Sequence, residues 1–256
     1  MSSGDNCPLV FIAGYVDAVA GGGGLVSLPA YMITGLPVHQ CVATNKMSAF
    51  MGASVATVKY SKNRFIPWKI AFFCIPCAII GSAIGANIAL MLSDRILKLV
   101  MLIIVPITGL YVITRKGEFS SGKDLSFVIT TAVCALISLV IGVYDGFYGP
   151  GTGTFLILML NGLAGLDLKK ANGLTKAINW STNVSALTVF LLKDQVLIPL
   201  GLVAGLFNIA GNYLGAVGFQ KKGAHVARLV MIIVLLLFFI KLVTEFFMMD
   251  YSVFTG

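Results

Sequence analysis

Four charged side chains, Asp17, Lys46, Asp145 and Lys176, stand inside apolar sequence rather than at its edges. A charge at membrane depth is costly unless paired or hydrated, so such groups mark either a pathway for ions and protons or a structural pin. Each aspartate precedes a run that a helix does not cross easily, GYVDAVAGGGG at 14–24 and GVYDGFYGPGT at 142–152. Glycine costs about 1 kcal/mol relative to alanine in a helix interior, and proline also removes a backbone donor. A helix is therefore expected to break at Gly21, Gly22, Gly23 and Gly24, and again at Gly149, Pro150 and Gly151. Bare glycine amides beside the N-terminus of a half-helix make a cradle for an anion. The chemistry expected is non-covalent capture of a small anion, with no cofactor.

Other chemistry is poorly served. His39 and His225 are the only histidines, and no Ser/Asp pair or His-rich metal pattern shares a helical face, so no catalytic residue and no metal site is expected. Neither glycine run follows a strand or continues into GK[ST], which argues against a nucleotide loop. CIPC at 74–77 is a Cys-x-x-Cys, and a membrane thiol-disulfide oxidoreductase using Cys74 and Cys77 is the rival reading. That chemistry needs an accessible thiol of low pKa, whereas these two lie in an apolar span with no cation beside them. Cys7, Cys41 and Cys134 are likewise scattered in apolar segments, and no disulfide framework emerges. A non-transporting membrane subunit is the third reading.

The elements that must position these residues follow from composition. Of 256 residues, 58% are hydrophobic and 11% charged, and mean hydropathy is +0.95. A soluble domain is roughly half apolar and a quarter charged, so the chain reads as an all-α integral membrane protein. Apolar stretches at 38–58, 70–92, 96–114, 125–147, 171–192, 196–219 and 226–248 each approach the ~20 residues that cross a bilayer core. The alternation of a membrane β-barrel is absent. No basic residue precedes the first apolar run and no small-x-small cleavage site follows at a sensible distance, so a removable signal peptide is not expected. The net charge of +8 sits in short clusters at helix ends, the ordinary loop bias of membrane proteins, and nucleic acid is not an expected partner.

The chain also repeats itself. GSAIGA at 81–86 matches GNYLGA at 211–216, and KLVMLIIV at 98–105 matches RLVMIIVL at 228–235. The two glycine runs correspond, pairing Asp17 with Asp145, and TNK at 44–46 corresponds to LTK at 174–176, pairing Lys46 with Lys176. Two copies of about 130 residues are expected, 1–120 and 121–256, together forming one transporter domain of the kind built from internal repeats.

Loop charges choose the topology. With eight plain spans the basic residues divide eight against seven, which is no bias. If each glycine-rich segment turns back as a re-entrant hairpin, three full spans remain per copy and the copies are inverted. Lys59, Lys62, Arg64, Lys69, Arg115, Lys116, Lys123, Lys169, Lys170, Lys221, Lys222 and Arg228 then share one side, against Arg95, Lys98 and Lys193 on the other. Basic residues mark the cytoplasmic side. Inverted repeats are expected, each a broken helix or re-entrant hairpin plus three transmembrane helices, with both termini periplasmic. The arms 8–20 and 25–35 are too short to span. The stretch 125–148 could cross alone, which would make the second hairpin asymmetric.

On this frame the substrate-binding set is Gly21, Gly22, Gly23, Gly24, Thr44, Asn45, Lys46, Gly149, Gly151, Thr152, Thr175, Lys176, Asn179 and Asn183. Ser181 and Thr182, with Ser48 and Ser54 in the first copy, are further lining candidates. Asp17 and Asp145 are expected either to orient the lysines or to carry a coupling proton. The bland alternatives are that Asp17–Lys46 and Asp145–Lys176 merely pin each hairpin to its neighbouring helix, or that the lysines snorkel to a nearby surface. Gly81, Gly85, Gly211 and Gly215, at four-residue spacing, read as close-packing positions. Asn208 and Asn212 read equally as interhelical glue or as cavity lining.

GYVDAVAGGGGLVSLPAYMITGLPVHQCVATNK, and later GVYDGFYGPGTGTFLIL followed by TKAINWSTNVSAL, resemble the TauE/SafE sulfite exporter family across nearly all of 10–250. The first signature falls on Asp17, Gly21 to Gly24, Pro29, Thr44, Asn45 and Lys46. The second falls on Tyr144, Asp145, Gly146, Phe147, Gly149, Pro150, Gly151, Gly153, Thr175, Lys176, Asn179 and Asn183. The resemblance implies a transporter of the bacterial inner membrane whose relatives move sulfite, sulfoacetate and other small organic anions. The partners expected are a small anion and the lipid bilayer, and both proton coupling and homo-oligomerisation are compatible with the reading.

Overall fold

A computed structural model describes residues 7–32, 34–93, 96 and 125–219. The expected spans at 96–114 (Ile96 apart) and 226–248 lie outside the described residues, as do the second matched pair of repeat segments, His225, both termini and the basic residues of 95–123 and 221–228. Every element among the described residues is helical. They are α1 (Cys7–Ala20), α2 (Gly24–Met32), α3 (Val38–Lys62), α4 (Trp68–Met91), α5 (Phe127–Phe147), α6 (Thr152–Gly162), α7 (Leu168–Leu191) and α8 (Ile198–Phe219).

Three of them, α4, α5 and α8, are long and apolar enough to cross a membrane. Their exposed faces are greasy, with Phe72, Phe73, Ile80 and Ile84 on α4, Val128, Leu136 and Val140 on α5, and Leu202 and Leu206 on α8. Spacings of four, seven and eight place most of each set on one helical stripe, which lipid rather than water would cover. α3 and α7, at 25 and 24 residues, have the length of a span but not its composition. They bury Lys46, Lys176, Asn179 and Asn183 and stand in the middle of the bundle. The described residues are those of a helical membrane protein.

The two glycine-rich segments break as expected but unequally. α1 has 14 residues, about 21 Å, and α2 only nine, so neither crosses alone. α5 has 21, about 31 Å, followed by an 11-residue α6. The second break thus follows a full-length helix, which is the asymmetric alternative that the apolar stretch 125–148 left open. The reason is compositional: from Phe127 to Val143 nothing interrupts the apolar run.

Close packing is concentrated where small residues recur. A side chain at Gly81 or Gly85 would strike the carbonyls of Leu139 and Val143, and one at Gly142 or Gly146 would strike those of Ala78 and Ser82, so α4 and α5 meet backbone to backbone. Gly211 and Gly215 make the matching contact of α8 with Phe11 and Tyr15 of α1. The GxxxG helix of each half therefore packs on the broken helix of the other half.

α3 and α7 run antiparallel between these pairs. The Thr57 hydroxyl donates to the Lys176 carbonyl, and Trp180 Nε1 donates to the Ser54 hydroxyl, each at 3.0 Å. The end of α3 lies beside the start of α7, where Phe65 packs on Gly173 and the Lys169 ammonium sits 5.9 Å from the Phe65 ring centre. Tyr60 stacks with Phe219 at the end of α8, 5.6 Å between centroids. Lys59, Lys62, Arg64, Lys69, Lys169 and Lys170 consequently gather at one end of the bundle. Lys193 follows α7 at the other.

Candidate functional site

The last four carbonyls of a helix lack intrahelical partners, and at membrane depth lipid cannot supply them. At the end of α1 all four are satisfied by the protein. The Asp17 carbonyl accepts from the Gly21 amide at 2.8 Å and from the Lys176 ammonium. Ala18 accepts from the Tyr60 hydroxyl at 2.9 Å, Val19 from Asn172 Nδ2 at 3.4 Å and Ala20 from the Thr154 hydroxyl at 2.8 Å. Donors from α3, α6 and α7 thus hold the break open. Gly21 turns the chain with φ +73°, its Cα against the backbone of Gly153, so the two breaks touch. At the second break Gly149 and Gly151 take φ of +95° and +80°, the Thr152 hydroxyl donates to the Gly149 carbonyl at 2.6 Å, and the Tyr144 hydroxyl to the Pro150 carbonyl at 2.6 Å.

The charges pair across the repeats rather than within them. Lys46 Nζ lies 3.0 Å from Asp145 Oδ2, and Lys176 Nζ lies 3.7 Å from Asp17 Oδ2. The expected partners, Asp17 with Lys46 and Asp145 with Lys176, are corrected. The glycine contacts explain the exchange, because each broken helix is held by the GxxxG helix of the opposite half and so delivers its aspartate to the opposite lysine. Lys46, Lys176 and Asp145 are at most 2% exposed, which removes the snorkelling alternative. All four charges are compensated at close range, as burial demands.

A cavity of about 30 Å³ opens where the breaks meet, lined by Asp17, Gly21, Gly23, Gly24, Ser27, Asn45, Lys46, Ala49, Asp145, Gly149, Thr152, Asn179, Asn183 and Asn208. Two or three water-sized groups fill that space, at roughly 10–15 Å³ each. The N-termini of α2 and α6, at Gly24 and Thr152, both face it. Asn45, 6% exposed, has an Oδ1 that accepts no hydrogen bond among the described residues, and Asp145 Oδ2 has the Lys46 ion pair but no hydrogen bond. Buried polar atoms without partners are uncommon. Both belong to residues that line the cavity, where a polar guest could meet them.

Gly22, Thr44, Gly151, Thr175 and Lys176 belong to the expected set yet stand outside this lining. Gly22 faces Val16, Leu25 and Thr154. The Thr44 hydroxyl accepts the Leu197 amide at 3.1 Å, tying α3 to the start of α8. Gly151 is the left-handed residue ahead of α6, Thr175 is buried, and Lys176 is committed to Asp17. Ser48 and Ser54 are also spent elsewhere, Ser48 on Tyr31 and the Asn45 carbonyl, Ser54 on Phe50 and Trp180. Ser181 and Thr182 bond back to the carbonyls of Ile178 and Asn179. Ser27 and Ala49 join the lining without having been singled out. Ala49 was discoverable, since it is the first-half counterpart of Asn179. Asn208 lines the cavity and, with Asn212, presses on Gly52, so it serves both proposed roles.

Among the described residues no group of three or more His, Cys, Asp or Glu side chains could hold a metal. Cys74 contacts Cys134 and Ser138 across the α4–α5 contact, not Cys77, and is fully buried. His39 is tied to the Ala89 carbonyl at 3.0 Å.

A family model described as sulfite exporter TauE/SafE matches residues 7–242. A "probable membrane transporter protein ORF9" from a Sinorhizobium species is 33% identical over 238 residues, covering 92% of this chain and 90% of that protein. A "probable membrane transporter protein" of Haemophilus influenzae is 32% identical over 237 residues, with 92% of each chain covered. The Escherichia coli K12 protein named "probable membrane transporter protein YfcA" is 29% identical over 231 residues, 88% of this chain and 84% of that one. No solved structure matches the chain.

Proposed function

The chain belongs to the TauE/SafE sulfite exporter family, and from that premise we propose that it exports a small anion such as sulfite, an organosulfonate or another small organic acid across the bacterial inner membrane. The observation that carries the reading is the buried cavity at the meeting point of two helix breaks, with Lys46 in its wall and two half-helix N-termini aimed into it. Glycine amides and helix N-termini are ready-made anion ligands, and a buried ammonium adds charge that lipid cannot screen. Asn45, Asn179 and Asn183 add amide donors around the same space. The cavity matches a carboxylate or sulfonate head group in scale, and a larger anion would need the hairpin tips to part.

We read the two halves, 1–120 and 121–256, as inverted repeats with the site on their pseudo-twofold axis. Support comes from the antiparallel α3 and α7 and from the exchange of charge partners. The gathering of Lys59, Lys62, Arg64, Lys69, Lys169 and Lys170 at one end agrees with a cytoplasmic face there and with periplasmic termini. The protein would work without a metal or cofactor, as a carrier rather than an enzyme. The enclosure of Cys74 and its contact with Cys134 disfavour the thiol oxidoreductase reading.

The test is anion flux in proteoliposomes of the purified protein. Lys46→Ala is expected to reduce flux of sulfite or methanesulfonate at least about tenfold, the loss of one buried charge-assisted contact. Flux unchanged by this substitution would remove Lys46, and with it the cavity, from the transport path.

A further inference from the structure

The charges around the cavity are balanced before any anion arrives. Lys46 is matched by Asp145 and Lys176 by Asp17. Adding an anion leaves one uncompensated negative charge in a space walled by glycine backbone and buried side chains. Such a charge is not tolerated at membrane depth unless it is neutralised.

The two pairs differ in how they could respond. Lys176 is sealed, fully buried with its ammonium on both the carboxylate and the main-chain carbonyl of Asp17, where it helps to hold the first break. Moving it would take one of two donors from the Asp17 carbonyl and the ion partner from the Asp17 carboxylate. Lys46 faces the cavity and has Asp145 as its ion partner, and Asp145 Oδ2 receives no hydrogen bond. The titratable and charged groups facing Asp145 among the described residues are Lys46 from α3, with Asp17 from α1 across the cavity and Lys176 from α7 behind Asp17. Tyr144, beside it on α5, donates its hydroxyl to Pro150.

Resting on the anion reading, we propose that the anion travels with one proton, which is carried by Asp145. The anion takes the Lys46 ammonium, the Asp145 carboxylate released from that pair binds a proton from the same side, and both leave together on the other side. Lys176 and Asp17 stay paired throughout. The repeated lysines thus have different tasks, Lys46 as ligand and Lys176 as clamp. A metabolically produced acid exported in this way leaves as anion plus proton, without moving net charge for a monoanion.

The probe is methanesulfonate, which stays a monoanion across the working pH range and brings no proton of its own. In proteoliposomes of the full chain with the potential clamped at zero, an exterior one pH unit more acidic is expected to accumulate methanesulfonate about tenfold, the ratio that 1:1 coupling sets. A potential of either sign at equal pH is expected to accumulate none. Asp145→Asn is expected to reverse this, responding to potential and ignoring the pH gradient. Accumulation by the wild type under potential alone would overturn the proposal, and so would an Asp145→Asn protein that still follows the pH gradient. Calorimetry of methanesulfonate binding in buffers of different ionisation enthalpy is expected to count one proton taken up by the wild type. Binding with no proton uptake overturns the proton step while leaving the anion site standing. Absence of both binding and flux for methanesulfonate, sulfate and sulfite overturns the anion reading, and the proton step falls with it.

Discussion

At the scale of single residues, the structure turns on which lysine each aspartate meets. Burying a lone ammonium or carboxylate is far costlier than burying the pair, so removing one partner of a true pair is expensive and removing both is not. Lys46→Met and Asp145→Asn are each expected to destabilise the protein by about 3 kcal/mol. The double variant is expected to cost no more than about 1 kcal/mol, a coupling of about 5 kcal/mol, against less than about 0.5 kcal/mol for Lys46 with Asp17. Unfolding of the six proteins of the two cycles in mild detergent measures both, and a larger coupling for Lys46 with Asp17 would restore pairing within each repeat. That these four charges would be drawn into the bundle and compensated was legible from their position in apolar sequence. Which pairs form was not, because Asp17 and Asp145 have identical local surroundings and only the packing of α1 on α8 and α5 on α4 chooses between the lysines.

At the scale of elements, broken and continuous helices divide the work. α1 ends because Gly21 adopts φ +73°, and it can end inside the bundle because Tyr60, Asn172, Thr154 and Lys176 take its carbonyls. α4 and α8 are unbroken and hold the broken helices by backbone contact. Gly85→Leu and Gly211→Leu would each drive a side chain into a carbonyl of the facing helix and are expected to cost at least about 2 kcal/mol. Ile84→Leu, on the face of α4 that is 47% exposed, is expected to stay within about 0.5 kcal/mol. Thermal unfolding in bicelles distinguishes them, and equal shifts at Gly85 and Ile84 would mean that the α4–α5 contact is not backbone to backbone. The breaks and the packing glycines were readable from residue type. The full length of α5 was visible in its apolar run, which is why the second hairpin was expected to be asymmetric if that run crossed alone.

At the scale of the whole molecule, the antiparallel arrangement of α3 and α7 brings the basic residues of 59–69 and 169–170 to one end. Single cysteines replacing Lys62 and Lys169 in a cysteine-free background are expected to react from the cytoplasm only, and one replacing Lys193 from the periplasm only. Labelling of cells with an impermeant maleimide, before and after permeabilisation, measures this, and opposite accessibility of the first two positions would return the chain to eight plain spans.

What the sequence by itself determined is the class and the ingredients: a helical membrane chain with matching segments, two breaks, four charges set in apolar sequence and the glycines that pack. These follow from side-chain transfer energies and helix propensities, which act locally and are written residue by residue. What only the tertiary structure decided is the exchange of partners between the halves, the placing of Lys46 but not Lys176 in the cavity wall, and the exclusion of Gly22, Thr44, Gly151 and Thr175 from it. Those depend on which helix faces which, and a chain with a repeat offers each helix two equivalent faces to choose from. The choice is made by backbone contacts at Gly81, Gly85, Gly211 and Gly215, whose partners lie on the opposite half of the chain.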